Sequence, residues 1–183
     1  MTDIAIDLTA SYYDTGIGEY AFAGCARLKS VRLTNSAYLG QAAFKDCTAL
    51  TSVYLPNKSS YAYPETFSGC TSLASIDIPP KVWMLNDGMF RNCRSLTAVN
   101  LQDYADDKSQ LDRLGADVFD GCTALTSLDV PTSITSLVQI NENFLRGSSI
   151  RKIVFNGLPD DVFRSQYTES HTVKVDGYVT GMD

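Results

Sequence analysis

The sequence predicts an α/β repeat solenoid, and two observations support that prediction. The first is a set of five apolar columns, each of which recurs six times along the 183 residues. The second is the spacing of apolar residues inside each unit, which changes from every third residue to every second residue. A three-residue spacing is typical of a helical turn and a two-residue spacing of a strand. Each unit therefore should contain one short helical turn and one short strand.

The units align on a phenylalanine and follow the pattern F-x-x-C-x-x-L-x-x-[VIL]-x-[LIV], except that the sixth unit has Gly147 in the cysteine column and Ile150 in the leucine column. The six phenylalanines are Phe22, Phe44, Phe67, Phe90, Phe119 and Phe144, with spacings of 22, 23, 23, 29 and 25 residues. A period in the low twenties with this pattern is typical of leucine-rich repeats. We therefore expect a right-handed leucine-rich repeat solenoid, with one curved parallel β-sheet and short helical turns on the convex side.

Three segments are expected along the chain. Residues 1–16 are interpreted as an N-terminal cap or truncated repeat, because Ile6 and Leu8 fit the last two strand columns. Residues 17–156 hold six repeats of about 22–29 residues. Residues 157–183 are expected to form a C-terminal cap: a short helix, then a β-hairpin that turns at Asp176-Gly177 and returns at Tyr178. The insertion at residues 103–114 is expected to be a solvated loop.

Five cysteines occupy one column of the repeat and raise four alternatives: a metal site, disulfides, a nucleophile or buried packing. They are Cys25, Cys47, Cys70, Cys93 and Cys122. Translated repeats point their Cβ atoms the same way, whereas a disulfide needs them to converge. The sequence pairs none of them with a second metal ligand, and the single histidine is His171. We favour a structural ladder of reduced, buried cysteines, with no metal and no cofactor.

Composition and motifs exclude several function classes. The net charge of −6 and the pI near 4.7 argue against nucleic-acid binding, which needs a basic face, and against anionic membranes. No apolar run approaches the roughly 18 residues of a membrane span. Phosphate-binding loops, dinucleotide fingerprints, zinc motifs and nucleophile elbows are missing from the sequence, so we do not expect an enzyme.

The opening of each unit also resembles a known family. The stretches IGEYAFAGCARLKSVRL, LGQAAFKDCTALTSVYLP and LGADVFDGCTALTSLDVP are similar to BspA-like (treponemal-type) leucine-rich repeats, and the resemblance covers about residues 17–156. It implies a surface or secreted module of a host-associated microbe that adheres to a host or matrix protein. Because MTDIAIDLTA lacks the features of a secretory signal, we expect a segment trimmed from a longer extracellular protein.

Binding residues are expected on the open face of the sheet, since strand side chains alternate and solenoids bind through this face. The outward column on the concave face holds Arg32, Tyr54, Asp77, Asn100 and Asp129. A flanking outward column begins with Lys29 and Thr51. Two alternatives remain: a glycan-binding surface that uses Trp83, Tyr61 and Tyr63, and a structural spacer with no ligand.

Overall fold

Every sequence unit contributes a short strand, and these strands pair in parallel in short blocks of neighbouring units. The computed structural model describes residues 4–8, 16–33, 38–57, 59, 61–101, 109–134, 140–141, 143–156 and 178–180. Its strands are β1 (Ile4–Leu8), β2 (Leu28–Leu33), β3 (Ser52–Tyr54), β4 (Ser75–Asp77), β5 (Met84–Leu85), β6 (Ala98–Asn100), β7 (Arg113–Leu114), β8 (Ser127–Val130), β9 (Lys152–Phe155) and β10 (Tyr178–Thr180). Within these ranges there is no helix, and hence none that could span a membrane.

The main ladder is formed by the strands that end each unit. They pair in the blocks β1–β2–β3, β4–β6 and β8–β9, and β3 contacts β4 as β6 contacts β8. The register keeps equivalent residues side by side: Val31 with Val53, Ile76 with Val99, and Leu128 with Ile153. Because the register preserves the column, the same apolar positions face inward in successive repeats.

The two ends of the main ladder differ in strand direction. At the start, β1 is parallel to β2 and pairs Ile6 with Val31 and Leu8 with Leu33. At the other end, β10 is antiparallel to β9 and pairs Tyr178 with Val154. The rest of the predicted cap, which comprises the helix and the first strand and turn of the hairpin, lies outside the described residues.

A second parallel ladder runs along the opposite side of the phenylalanine turns, where the sequence predicted helical turns alone. It consists of β5 paired with β7 and of single bridges between buried residues. Ile17 bridges to Leu39 and Leu39 to Ala62, each five positions before its phenylalanine, and Leu114 bridges to Ile140, which lies four positions before Phe144. The sequence pattern did not predict this ladder, because a single inward apolar residue per unit produces no two-residue period. Part of the predicted solvated loop (103–114) belongs to this ladder, since β7 consists of Arg113 and Leu114, and Leu111 and Leu114 are buried; residues 103–108 lie outside the described residues.

The phenylalanines form a continuous internal stack between the two ladders. Adjacent rings from Phe22 to Phe119 lie 5.4, 5.6, 5.9 and 6.0 Å apart between centroids and are nearly parallel. Phe44, Phe67, Phe90 and Phe119 are fully buried. Because each ring contacts the ring of the next unit, the stack couples every repeat from the first to the fifth.

The segment from phenylalanine to leucine is a series of turns rather than a helical turn. In the second unit, Cys47 N donates to Phe44 O at 3.2 Å, and Leu50 N donates to Cys47 O at 3.0 Å. Phe44 N instead donates to Thr66 O of the next unit at 2.9 Å. Left-handed φ angles at Ala42 (52°) and Asp46 (58°) flank the phenylalanine. Successive β-turns, each closed by a bond from residue i+3 to residue i, account for the three-residue spacing, and the left-handed residues prevent a continuous right-handed helix.

The sixth unit is offset by one residue from the alignment on Phe144. Ser148 N donates to Leu145 O, the bond that cysteine and phenylalanine make in the earlier units. Gly147 adopts a φ of 67°, which matches Gly121 (72°) of the fifth unit, one residue before its cysteine. Leu145 therefore holds the backbone position of the phenylalanine and Ser148 that of the cysteine, where the sequence had placed Phe144 and Gly147.

Candidate binding surfaces

The predicted outward column forms one exposed row on the main ladder, which we call the sheet face. Its members are Arg32, Tyr54, Asp77, Asn100 and Asp129, all exposed. Each lies between two inward positions of its strand, and the register pairs Arg32 with Tyr54 and Asp77 with Asn100. Val154 continues the column but is only half-exposed. The sheet face thus presents one side chain per repeat at the spacing of adjacent strands, about 4.8 Å.

Two contacts order the side chains of the sheet face. The guanidinium carbon of Arg32 lies 4.8 Å from the centroid of the Tyr54 ring, which is a cation–π geometry. Asn100 Nδ2 of the fourth repeat donates to Asp77 Oδ1 of the third repeat. Arg32 and Tyr54 thus give one end of the sheet face a cation and an aromatic ring. Asp77, Asn100 and Asp129 give the other end two carboxylates and an amide.

Two further columns flank the sheet face. The column that begins with Lys29 and Thr51 was predicted to face outward, and both residues are exposed. Thr51 Oγ1 donates to Lys29 O at 3.1 Å, and Thr97 Oγ1 to Ala74 O at 3.0 Å, so the threonines bond the backbone of the preceding repeat. The sequence analysis missed a column of small residues two positions before the sheet face: Ser30, Ser52, Ser75, Ala98 and Ser127. Simple alternation from Arg32 would have found it.

Three aromatic residues from two neighbouring repeats meet on the second ladder, and we call them the aromatic cluster. The Tyr61 and Tyr63 rings lie 4.5 Å apart in an edge-to-face arrangement. The Tyr61 and Trp83 rings lie 5.6 Å apart and are inclined by 45°. Tyr63 is 40% exposed and Trp83 38% exposed. The structure therefore brings together the three residues that the sequence had considered for glycan binding.

The backbone of the neighbouring unit holds polar residues beside the aromatic cluster. Asp112 N and Arg113 N both donate to Trp83 O, at 2.7 and 3.2 Å. Both side chains are largely exposed, and Arg113 Nε lies 3.4 Å from Asp112 Oδ2. The backbone of these two polar residues is thus hydrogen-bonded to the residue that carries the exposed indole.

The cysteine column is held inside the turns, away from both surfaces. Cys25 is half-buried and the other four cysteines are buried, and all five are free thiols. Each buried thiol donates to a phenylalanine carbonyl of the preceding repeat, as Cys70 Sγ does to Phe44 O at 3.2 Å. Burial raises the pKa of Cys47 to about 11 and of Cys122 to about 12. Thiols held neutral by burial are poor nucleophiles and poor metal ligands.

Charged residues on the turns form a ladder of ion pairs across five repeats, from the second to the sixth. Glu65 accepts from Lys45 Nζ at 2.6 Å and from Arg91 at 3.1 Å. Asp117 Oδ2 accepts from Arg91 at 3.1 Å and from Arg146 at 2.8 Å. Opposite charges bond each other across units, and no group of three or more metal-ligating side chains is found in the part of the chain that the structure describes.

A profile of the BspA type leucine-rich repeat region matches the chain in six copies, over residues 5–107 and 106–173. The chain belongs to the BspA-type leucine-rich repeat family. This confirms the resemblance read from the repeat pattern. Leucine-rich repeat proteins are typically non-catalytic modules that commonly bind other proteins. No curated protein matches the chain.

Solved structures of bacterial leucine-rich repeat proteins are similar to this chain. A cell surface protein from Faecalibacterium prausnitzii is 27% identical with a TM-score of 0.65, and the match covers 86% of this chain and 41% of that one. A protein from Bacteroides ovatus is 26% identical with a TM-score of 0.57, covering 82% and 42%. The T. pallidum leucine-rich repeat protein is 26% identical with a TM-score of 0.50, covering 84% and 59%. The chain thus spans less than two thirds of the length of each.

Proposed function

We propose that this chain is a non-catalytic binding module that holds a protein ligand on the sheet face. One observation carries the proposal: the sheet face varies from repeat to repeat, while the inward columns beside it stay apolar. Arg32, Tyr54, Asp77, Asn100 and Asp129 differ in charge and shape yet keep one fixed register. Packing restricts the inward columns, whereas an outward column is free to be adapted to a ligand.

The paired side chains support a preorganised surface. Because Arg32 lies against Tyr54 and Asn100 bonds Asp77, these four side chains lose less conformational freedom on binding than isolated ones would. Tyr54 is 51% exposed and offers an amphipathic ring of the kind that anchors protein interfaces. A ligand with a basic segment opposite Asp77 and Asp129 would complement the acidic end.

The architecture and location belong to the same proposal. We propose that the stacked units form a right-handed solenoid whose sheet face is concave, with six repeats at 17–156 and a cap at 157–183. We also propose that the full protein is extracellular or displayed on a bacterial surface and uses this module in adhesion. The similar protein of F. prausnitzii, described as a leucine rich cell surface protein, supports the location.

Binding of the purified chain to immobilised extracellular-matrix proteins tests this proposal. The test variant combines Tyr54→Ala, Asp77→Ala and Asn100→Ala. The matched control is Tyr20→Asn, because Tyr20 is 53% exposed, lies in the first turn and has a left-handed φ that asparagine tolerates.

We expect saturable binding that the triple variant weakens at least about tenfold, as interface hot spots do, and that the control leaves unchanged. Both variants should unfold at the same temperature as the parent, because the altered side chains are exposed. Binding that survives the triple change refutes the sheet face as the site. Absence of binding to every protein tested would favour a spacer.

A further inference from the structure

We propose that the aromatic cluster is a second binding site, which takes a hexopyranose unit of an oligosaccharide. The site consists of Tyr61, Tyr63 and Trp83, and it lies on the second ladder rather than on the main one. It is independent of the sheet face, so either site can exist without the other.

The strand geometry projects the two tyrosines outward. Ala62 lies between them, is 2% exposed and bridges to Leu39 in the second ladder. Because side chains alternate along an extended segment, an inward Ala62 places Tyr61 and Tyr63 on the outer side. Trp83 comes from the next repeat and reaches the Tyr61 ring at 5.6 Å. The three inclined rings therefore form one aromatic surface across two repeats, which we call the platform, where Tyr63 and Trp83 are exposed and Tyr61 is half-buried.

The repeat scaffold does not require these rings. The position of Tyr63 is occupied by Gly18, Gly40, Asn86 and Gly115 in other repeats, and the position of Tyr61 by Gly16, Tyr38 and Met84. The second ladder forms in those repeats as well. Exposed aromatic side chains at positions where the fold accepts glycine point to a role in binding.

The size of the platform favours a sugar over a protein partner. An aromatic side chain presents about 150–250 Å² in all, so three partly exposed rings offer on the order of 200–250 Å². A stable protein interface buries about 800 Å² on each partner. One pyranose ring is comparable to the platform in size, and the exposed side chains of Asp112 and Arg113 belong to the segment whose backbone bonds Trp83 O.

The chemistry of the platform matches that of a pyranose. A hexopyranose has one face rich in C–H bonds and a rim of hydroxyl groups. Its polarised C–H groups are attracted to the negative face of an aromatic ring, while the rim needs hydrogen-bond donors and acceptors. Tyr63 and Trp83 supply the exposed faces, and the carboxylate of Asp112 and the guanidinium of Arg113 supply groups for the rim.

The single tryptophan allows a direct test. Trp83 is the only tryptophan of the chain, so its fluorescence reports on this site alone. Titrations with cellotetraose, maltotetraose and chitotetraose should give a saturable emission change with at least one of them. Tyr63→Ala should raise Kd about tenfold, Tyr63→Phe should keep it within about twofold, and Tyr20→Asn should leave it unchanged.

Two outcomes overturn the inference. One is the absence of a saturable change up to about 20 mM of every oligosaccharide, well above the millimolar Kd that a small site can reach. The other is a Kd that stays the same in Tyr63→Ala, which would move any sugar site elsewhere. Both outcomes leave the sheet-face test unaffected, because the triple variant retains all three rings of the aromatic cluster.

Discussion

Phe67→Ala should remove a large part of the stability of the repeat array. Phe67 is fully buried and stacks between Phe44 at 5.6 Å and Phe90 at 5.9 Å. Truncation of a buried phenylalanine costs about 3–5 kcal/mol, including the cavity that it leaves. Two aromatic contacts at about 0.5–1.5 kcal/mol each fall within that figure. A domain of this size has about 5–15 kcal/mol in total, so the variant should unfold at a much lower urea concentration.

Phe22→Ala is the matched control for Phe67→Ala. Phe22 is half-buried at the first position of the stack and has one ring neighbour, Phe44, at 5.4 Å. Its truncation should cost about 1–2 kcal/mol, since less surface is exposed and the end of the array can relax. Urea unfolding followed by circular dichroism and by Trp83 fluorescence measures both variants, and agreement of the two probes checks that unfolding is cooperative. Equal losses in Phe67→Ala and Phe22→Ala would refute the claim that the internal stack couples the repeats.

Gly40→Ala should lower the free energy of unfolding by about 1–3 kcal/mol in urea titrations, because the new Cβ would lie 2.6 Å from backbone atoms of the preceding repeat. Gly18→Ala, at the same repeat position with no atom within 4 Å, should change it by less than about 0.5 kcal/mol, and equal effects would contradict the close packing. A thiol reagent at about pH 8 should label Cys25 in the folded chain and the other four cysteines only after unfolding, which peptide mass spectrometry can read. The free energy of unfolding should also fall as the pH rises above 9.0, the ordinary thiol pKa, toward the pKa values of about 11 and 12 at Cys47 and Cys122. In this range the thiols of the unfolded chain release protons that the folded thiols keep. Equal urea midpoints at about pH 8 and pH 10 would contradict this prediction.

The sequence alone predicted the main ladder because packing repeats the same side chains in every unit. The register of Val31 with Val53 and of Ile76 with Val99 follows the aligned columns. The second ladder was not predicted, since a single inward residue such as Leu39 or Ala62 carries no two-residue period. The turns were misread as helical because a spacing of three fits both successive tight turns and a helix, and the left-handed residues leave only a weak trace in the sequence.

The sixth unit shows a further limit of column alignment. Phe144 matches the phenylalanine column in type, and Ile150 matches the leucine column in spacing. The backbone bonds nevertheless place Leu145 in the phenylalanine position, because Gly147 supplies the left-handed residue that this turn needs. In this turn the requirement for a left-handed residue fixed the register, and the size of the apolar side chain did not.

The two candidate surfaces were predictable to different degrees. Alternation along a strand was enough to place Tyr54 and Asp77 outside. The aromatic cluster joins Tyr61 and Trp83, which are 22 residues apart in the sequence, close to one repeat period. Such a separation makes residues neighbours in a stacked array. Alignment of the positions before each phenylalanine would have shown this proximity, whereas the inclination of the rings depends on local packing.

The scaffold interactions considered next and those proposed for binding use different side chains. Neighbouring units are joined by the phenylalanine stack, by the bonds from buried thiols to carbonyl groups and by backbone bonds between turns. None of these bonds involves the side chains of the sheet face or the aromatic cluster. Substitutions at Tyr54 or Tyr63 should therefore weaken binding with little change in stability. Phe67→Ala should lower stability and leave binding unchanged under conditions in which the array stays folded. This separation lets a loss of binding be attributed to the surface that was altered, because the scaffold beneath it stays folded.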